Sequence, residues 1–144
     1  MQIKKLLILL AIVIIGVLIW NQKQTSNKIL KQVQDDNLKI VSTKPEPLDE
    51  ATILPKDGLE ITFNYPIYRS ELKHRFDPEI EHEVITVNGI DKELGTTFKI
   101  TFNEPLELGR GYTLFILSNT HDQKNHSIDH EYTYHFKTIS YRGV

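Results

Sequence analysis

Four segments of the chain place apolar residues two apart with polar residues between them: Leu59-Ile61-Phe63, Phe98-Ile100-Phe102, Tyr112-Leu114-Ile116 and Tyr132-Tyr134-Phe136. Successive side chains of a β-strand point to opposite faces, so each segment buries one face and wets the other. Leu38-Ile40, ahead of Pro45 and Pro47, and the stretch from His82 to Val87 are weaker strand signals. Turn-forming residues separate these segments at Pro55-Lys56-Asp57-Gly58, Asn88-Gly89, Leu94-Gly95, Gly109-Arg110-Gly111 and from Asp122 to Asn125. No interval carries a convincing amphipathic helix. The pattern predicts an all-β domain over residues 38–140, an antiparallel sandwich of about seven strands.

The N-terminal region follows another rule. Residues 6–20 (LLILLAIVIIGVLIW) contain no charge, and Lys4 and Lys5 stand directly before them. Counted from Ile3, a helix rising about 1.5 Å per residue reaches about 27 Å, close to the roughly 30 Å of bilayer hydrocarbon. Residues 1–21 are therefore expected to form one transmembrane signal anchor, with Leu6, Ile12 and Gly16 in the span and Trp20 at its edge. A cleaved signal peptide is the competing reading. Asn21-Gln22-Lys23-Gln24 follow with no small-x-small pair, which favours retention. Residues 22–37 read as a polar linker and 141–144 as a short tail. The basic start predicts a single pass through the cell membrane, with the C-terminal domain extracytoplasmic and the lipid bilayer as the first partner.

Composition removes several classes of function. A net charge of -2 with scattered basic residues gives no reason to expect nucleic acid. The absence of cysteine excludes disulfides, thiol nucleophiles, cysteine zinc sites and S-acyl anchors. The chain has no Gly-x-Ser-x-Gly, no His-Glu-x-x-His and no phosphate-binding glycine loop, so neither an enzyme nor a cofactor is expected. Six histidines raise a metal question, and His121, Asp122, His126 and His130 form the densest group. Their uneven spacing fits solvated loop residues better, and alternation turns His135 outward. The period-two carboxylates Asp77, Glu79, Glu81 and Glu83 likewise fit a solvated face, since Pro78 makes the start a turn.

A family resemblance rests on five motifs in order. They are the Pro55-Lys56-Asp57-Gly58 turn with the strand running to Thr62-Phe63-Asn64-Tyr65-Pro66-Ile67, then Phe76-Asp77-Pro78-Glu79-Ile80-Glu81, then Phe98 to Phe102. Pro105-Leu106, Gly109 and Tyr112-Thr113 come next, and the series ends on Thr120-His121-Asp122-Gln123-Lys124-Asn125 with Phe136-Lys137-Thr138. From Leu38 to Ile139 the chain resembles the bacterial Ig-like domains of the S-layer-associated type, the bacterial Ig-like domain 5 group. Lys124 stands where that pattern has glycine, and the neighbouring Asn125 is able to adopt a left-handed backbone in its place.

The resemblance implies an Ig-like structural or binding module and supplies no catalytic residues. The expected partner is another envelope or surface protein, or a glycan. Tyr65, Tyr68, Arg69, His74 and Arg75, in the longer connections, are the candidate contacts. The alternatives are a structural spacer or self-associating subunit of a surface assembly and, behind these, a metal-binding sensor.

Overall fold

The computed structural model describes residues 37–89 and 91–141. In chain order its strands are β1 (Ile40–Lys44), β2 (Ala51–Ile53), β3 (Leu59–Tyr68), β4 (His74–Asp77), β5 (His82–Gly89), β6 (Leu94–Phe102), β7 (Gly111–Ile116) and β8 (Tyr132–Thr138), with one 3-10 turn at Arg69–Glu71. They form two four-stranded sheets, ordered β1-β3-β6-β5 and β2-β8-β7-β4. This is the strand order of an immunoglobulin constant-type sandwich whose first strand is divided between the sheets.

Pro45 and Pro47 account for the division. Proline has no N–H to give to a ladder, so β1 stops at Lys44 and the chain resumes in the other sheet as β2. There Ala51, Thr52 and Ile53 pair in parallel with Phe136, Lys137 and Thr138. The expected antiparallel sandwich of about seven strands is thus, among the described residues, one of eight with a parallel pair. The expected transmembrane segment and linker lie outside the described residues. Among those described, no helix is long and apolar enough to cross a membrane.

Alternation builds the core. Leu59, Ile61, Phe63 and Ile67 of β3 and Phe98 and Ile100 of β6 are buried from one sheet, and Tyr112, Leu114 and Ile116 of β7 with Phe136 of β8 from the other. Phe63 and Phe98 meet edge to face with centroids 6.2 Å apart, and Tyr112 stacks on Phe136 at 5.6 Å. The Tyr112 hydroxyl also accepts the Glu107 N–H at 3.0 Å, tying the loop before β7 to the strand it introduces. A Tyr112→Phe variant keeps the stacked ring but leaves that N–H without its partner. It is expected to lower the urea midpoint by the equivalent of about 1–2 kcal/mol.

Two expected turns are strands instead. Pro55-Lys56-Asp57-Gly58 does turn, with Asp57 Oδ2 accepting the Leu54 N–H at 2.9 Å. Asn88-Gly89 and Leu94-Gly95, however, end β5 and open β6, and the chain reverses around Asp91, whose Oδ1 accepts the N–H groups of Glu93 and Leu94, both at 2.7 Å. The glycines serve a close crossing, Gly89 lying opposite Gly95. A Cβ on Gly95 would come within 2.6 Å of the Asn88 carbonyl oxygen and 2.7 Å of Gly89 Cα. Gly95→Ala is therefore expected to cost about 1–3 kcal/mol. Gly111→Ala, whose Cβ would meet nothing within 4 Å, is the control in the same unfolding measurement.

Candidate functional site

The loop before β8 is built around one carboxylate. Asp122 is buried, and its Oδ1 accepts the N–H groups of Lys124 and His126, each at 2.8 Å. Its Oδ2 lies 2.9 Å from His126 Nδ1. Asn125 takes φ +65°, the left-handed position open to asparagine, so Lys124 needs no special backbone where the family pattern has glycine. Thr120, fully buried, fastens the loop to the segment before β4: its hydroxyl accepts the Lys73 N–H at 3.1 Å and donates to the Lys73 carbonyl at 3.2 Å.

The histidines of this loop diverge. His121 Nε2 lies 3.3 Å from Glu71 Oε2, His126 is held by Asp122, and His130 stacks on Tyr132 with centroids 4.0 Å apart. Among the described residues, the carboxylate and imidazole ligand atoms that do converge belong to Asp49, Glu50 and His135, within 4.8 Å of one another and all exposed. Asp49 is committed within that group, its Oδ1 accepting the His135 N–H at 2.7 Å, and this bond leads the interactions that lower its carboxyl pKa.

The five candidate contact residues do not form one surface. Tyr65 lies within β3 and packs against the core, and Tyr68 ends the same strand exposed. Arg69 is tied to Glu93 Oε1 at 2.6 Å and to the Val84 carbonyl at 3.2 Å. His74 and Arg75 are strand residues of β4 rather than loop residues. Arg75 is exposed, with its guanidinium 3.6 Å from the centre of the Phe115 ring, while His74 turns inward. Inside, His74 meets His82 of β5 with Nε2 atoms 2.7 Å apart, which sequence reasoning missed. Strand parity carries the signal: His74 shares a face with Phe76, and His82 with Val84.

The sequence from residue 34 to 138 matches the model of the family described as the bacterial Ig-like domain, Big_5. The chain belongs to this family. Three solved structures share the fold of this bacterial Ig-like domain, each at 15% sequence identity. Domains 1-6 of the surface layer protein SbsC align with a TM-score of 0.52, over 80% of this chain and 15% of that one. The S-layer protein rSbsC(31-844) aligns at 0.53, over 82% and 16%, and the N-terminal part of the bacterial S-layer protein SbsC at 0.52, over 82% and 27%. The chain thus spans well under a third of each of those proteins. No match was found among curated proteins.

Among the described residues, clefts in the surface of this Ig-like domain include the following two. One of about 200 Å³ is lined by Glu50, Gly111, His135 and Lys137 among others, and one of about 260 Å³ lies between the two acidic segments Glu79 to Glu81 and Glu104 to Glu107. Both are smaller than the roughly 300–1,000 Å³ typical of small-molecule sites. Along β8, Tyr132 and Tyr134 stack at 6.1 Å, and burial together with the neighbouring Tyr132 and Asp49 pushes the Tyr134 hydroxyl up to about 12. That aromatic stripe is neutral across the physiological range.

Proposed function

We propose that the chain is a non-enzymatic module of the bacterial cell envelope, held at the membrane by residues 6–20 and presenting its sandwich on the outer side for surface interaction or adhesion. The observation that carries this reading is the order of parts: one Ig-like domain of the bacterial family behind a lysine-flanked apolar run long enough to span a bilayer. The small clefts favour contact through loops or strand edges over capture of a small molecule. Protease treatment of intact cells tests the reading. The domain is expected in the membrane fraction and to be shaved from outside, and full protection in intact cells together with cleavage after lysis would sink it.

A second reading, self-association within a surface assembly, draws on the fold shared with domains of a surface layer protein and on exposed Ile85 and Val87 along β5. Sedimentation velocity over a hundredfold concentration range separates the two. A sedimentation coefficient that rises with concentration favours assembly, and a constant one favours a module that meets other partners.

A further inference from the structure

The His74–His82 contact has a proton count that two neutral rings cannot meet. His74 Nδ1 lies 2.9 Å from the Leu72 carbonyl oxygen, and His82 Nδ1 lies 2.7 Å from the Ile80 carbonyl oxygen. A carbonyl oxygen only accepts, so each Nδ1 carries the hydrogen. A neutral imidazole has one N–H, which leaves both Nε2 atoms as bare acceptors. Yet those atoms face each other at 2.7 Å, the separation of a short N–H···N hydrogen bond. One additional proton satisfies all three contacts at once. A divalent metal fits less well, because two nitrogens at about 2.0–2.1 Å from a tetrahedral zinc stand more than about 3 Å apart. Among the described residues, no third ligand atom completes such a group at this pair.

We propose that His74 and His82 hold a single proton between their Nε2 atoms, that this hydrogen bond fastens the edge strand of one sheet to the edge strand of the other, and that a second proton breaks it. β4 and β5 are the outermost strands of their sheets on this side, and Pro78 to Glu81 connects them, so the pair closes the open seam of the sandwich. Apolar side chains surround it. Ile116 of β7 lies opposite His74, Phe102 of β6 lies opposite His82, and the Phe76 ring is 4.9 Å from that of His82.

None of these neighbours titrates. The charged groups of the same elements point elsewhere: Arg75, Asp77, Glu79, Glu81 and Glu83 are exposed, and Lys73 is held by the Ser70 carbonyl and Glu71. The second proton would therefore place two cations together in an apolar setting with no carboxylate between them. Burial lowers the pKa of His74, the hydrogen bond to the Leu72 carbonyl opposes that shift, and the charge of His82 adds to it; the net direction, downward, agrees with a second step displaced to acid. Below that step the rings repel and the seam over Phe76 and Phe102 opens, which makes the domain's edge acid-sensitive.

The test is a long-range ¹H–¹⁵N correlation of the histidine rings in the full-length chain from pH 4 to 9, with His74→Asn and His82→Asn used to assign the two rings among the six histidines. Near neutral pH both rings are expected to show a protonated Nδ1. The pair should titrate in two steps more than about one pH unit apart, and in either variant the remaining ring should titrate in one step. If one variant fails to fold, the other still assigns one ring of the pair, and because each ring of a coupled pair reports both steps, that ring's wild-type curve decides the matter. Three results would overturn the proposal: a single common step for both rings, a protonated Nε2 with a bare Nδ1 on one ring at neutral pH, or one equivalent of Zn²⁺ displacing the shared proton at neutral pH.

Discussion

A Phe98→Ala variant is expected to lose about 3–5 kcal/mol of folding stability, a large part of the roughly 5–15 kcal/mol that a domain of this kind has in total. Phe98 is fully buried, pairs with Ile61 of β3 on one side and Thr86 of β5 on the other, and presses edge-on against Phe63. Because β6 is ladder-bonded on both sides, the backbone cannot settle inward to fill the space. The cavity term is then added to the lost transfer free energy. Urea unfolding should show a lower midpoint with an unchanged slope, since the same surface is exposed on unfolding. Ile85→Ala on β5, where the side chain is 42% exposed, sets the scale and should change stability by less than about 1 kcal/mol. If the two variants cost the same, the inward and outward faces of this sheet have been assigned wrongly.

The alternation that singles out Phe98 also makes most of the core legible in the amino-acid sequence. Apolar residues two apart in Leu59-Ile61-Phe63, Phe98-Ile100 and Tyr112-Leu114-Ile116 can only face one way, and all of them are buried. Strands without that contrast are illegible. β2 is the three-residue segment Ala51–Ile53, too short to show a period, and its partner lies 85 positions later in β8. β4 holds His74 and Phe76 inward with Arg75 and Asp77 outward, but histidine does not register as apolar in a periodicity pattern. For the same reason His74 and Arg75 read as loop residues in the sequence. β3 runs past Pro66 to Tyr68, although proline usually marks an end, because the β3–β6 register shifts between Thr62 and Ile67 and spares it a ladder bond.

The chemistry of the surface is less legible still. Histidine spacing in sequence points to His121, His126 and His130, yet each meets a different partner, Glu71, Asp122 and Asp129 in turn, because a loop closed by its own backbone bonds points its side chains wherever the turn leaves them. The pair that does meet, His74 and His82, is joined by a short connection between strands of opposite sheets. Only the assignment of both strands and both faces brings those rings together. Asn125 is legible for the opposite reason: asparagine is one of the few residues with a low-cost left-handed backbone, and a loop that lacks glycine at position 124 needs one nearby.

The buried carboxylate of that loop supplies the second large effect. Asp122→Ala is expected to cost about 2–3 kcal/mol, because it removes the common acceptor of the Lys124 N–H, the His126 N–H and the His126 ring. Asp122→Asn keeps the shape and one acceptor oxygen and should fall between it and the wild type. Burial by itself raises the Asp122 pKa, but the hydrogen bonds from the His126 backbone, the His126 ring and the Lys124 backbone outweigh it and hold the carboxyl below its ordinary 3.8. A depressed carboxyl pKa stabilises the folded state above the unfolded value and loses that contribution as pH falls through the folded one. The stability difference between wild type and Asp122→Asn should therefore be present at neutral pH and shrink as pH falls below 3.8. Asp49, whose carboxyl is lowered too, titrates in the same window, but it is common to both proteins and cancels in the difference. A difference as large at pH 2.5 as at pH 7 would mean that Asp122 holds the loop by shape alone, with no contribution from its charge.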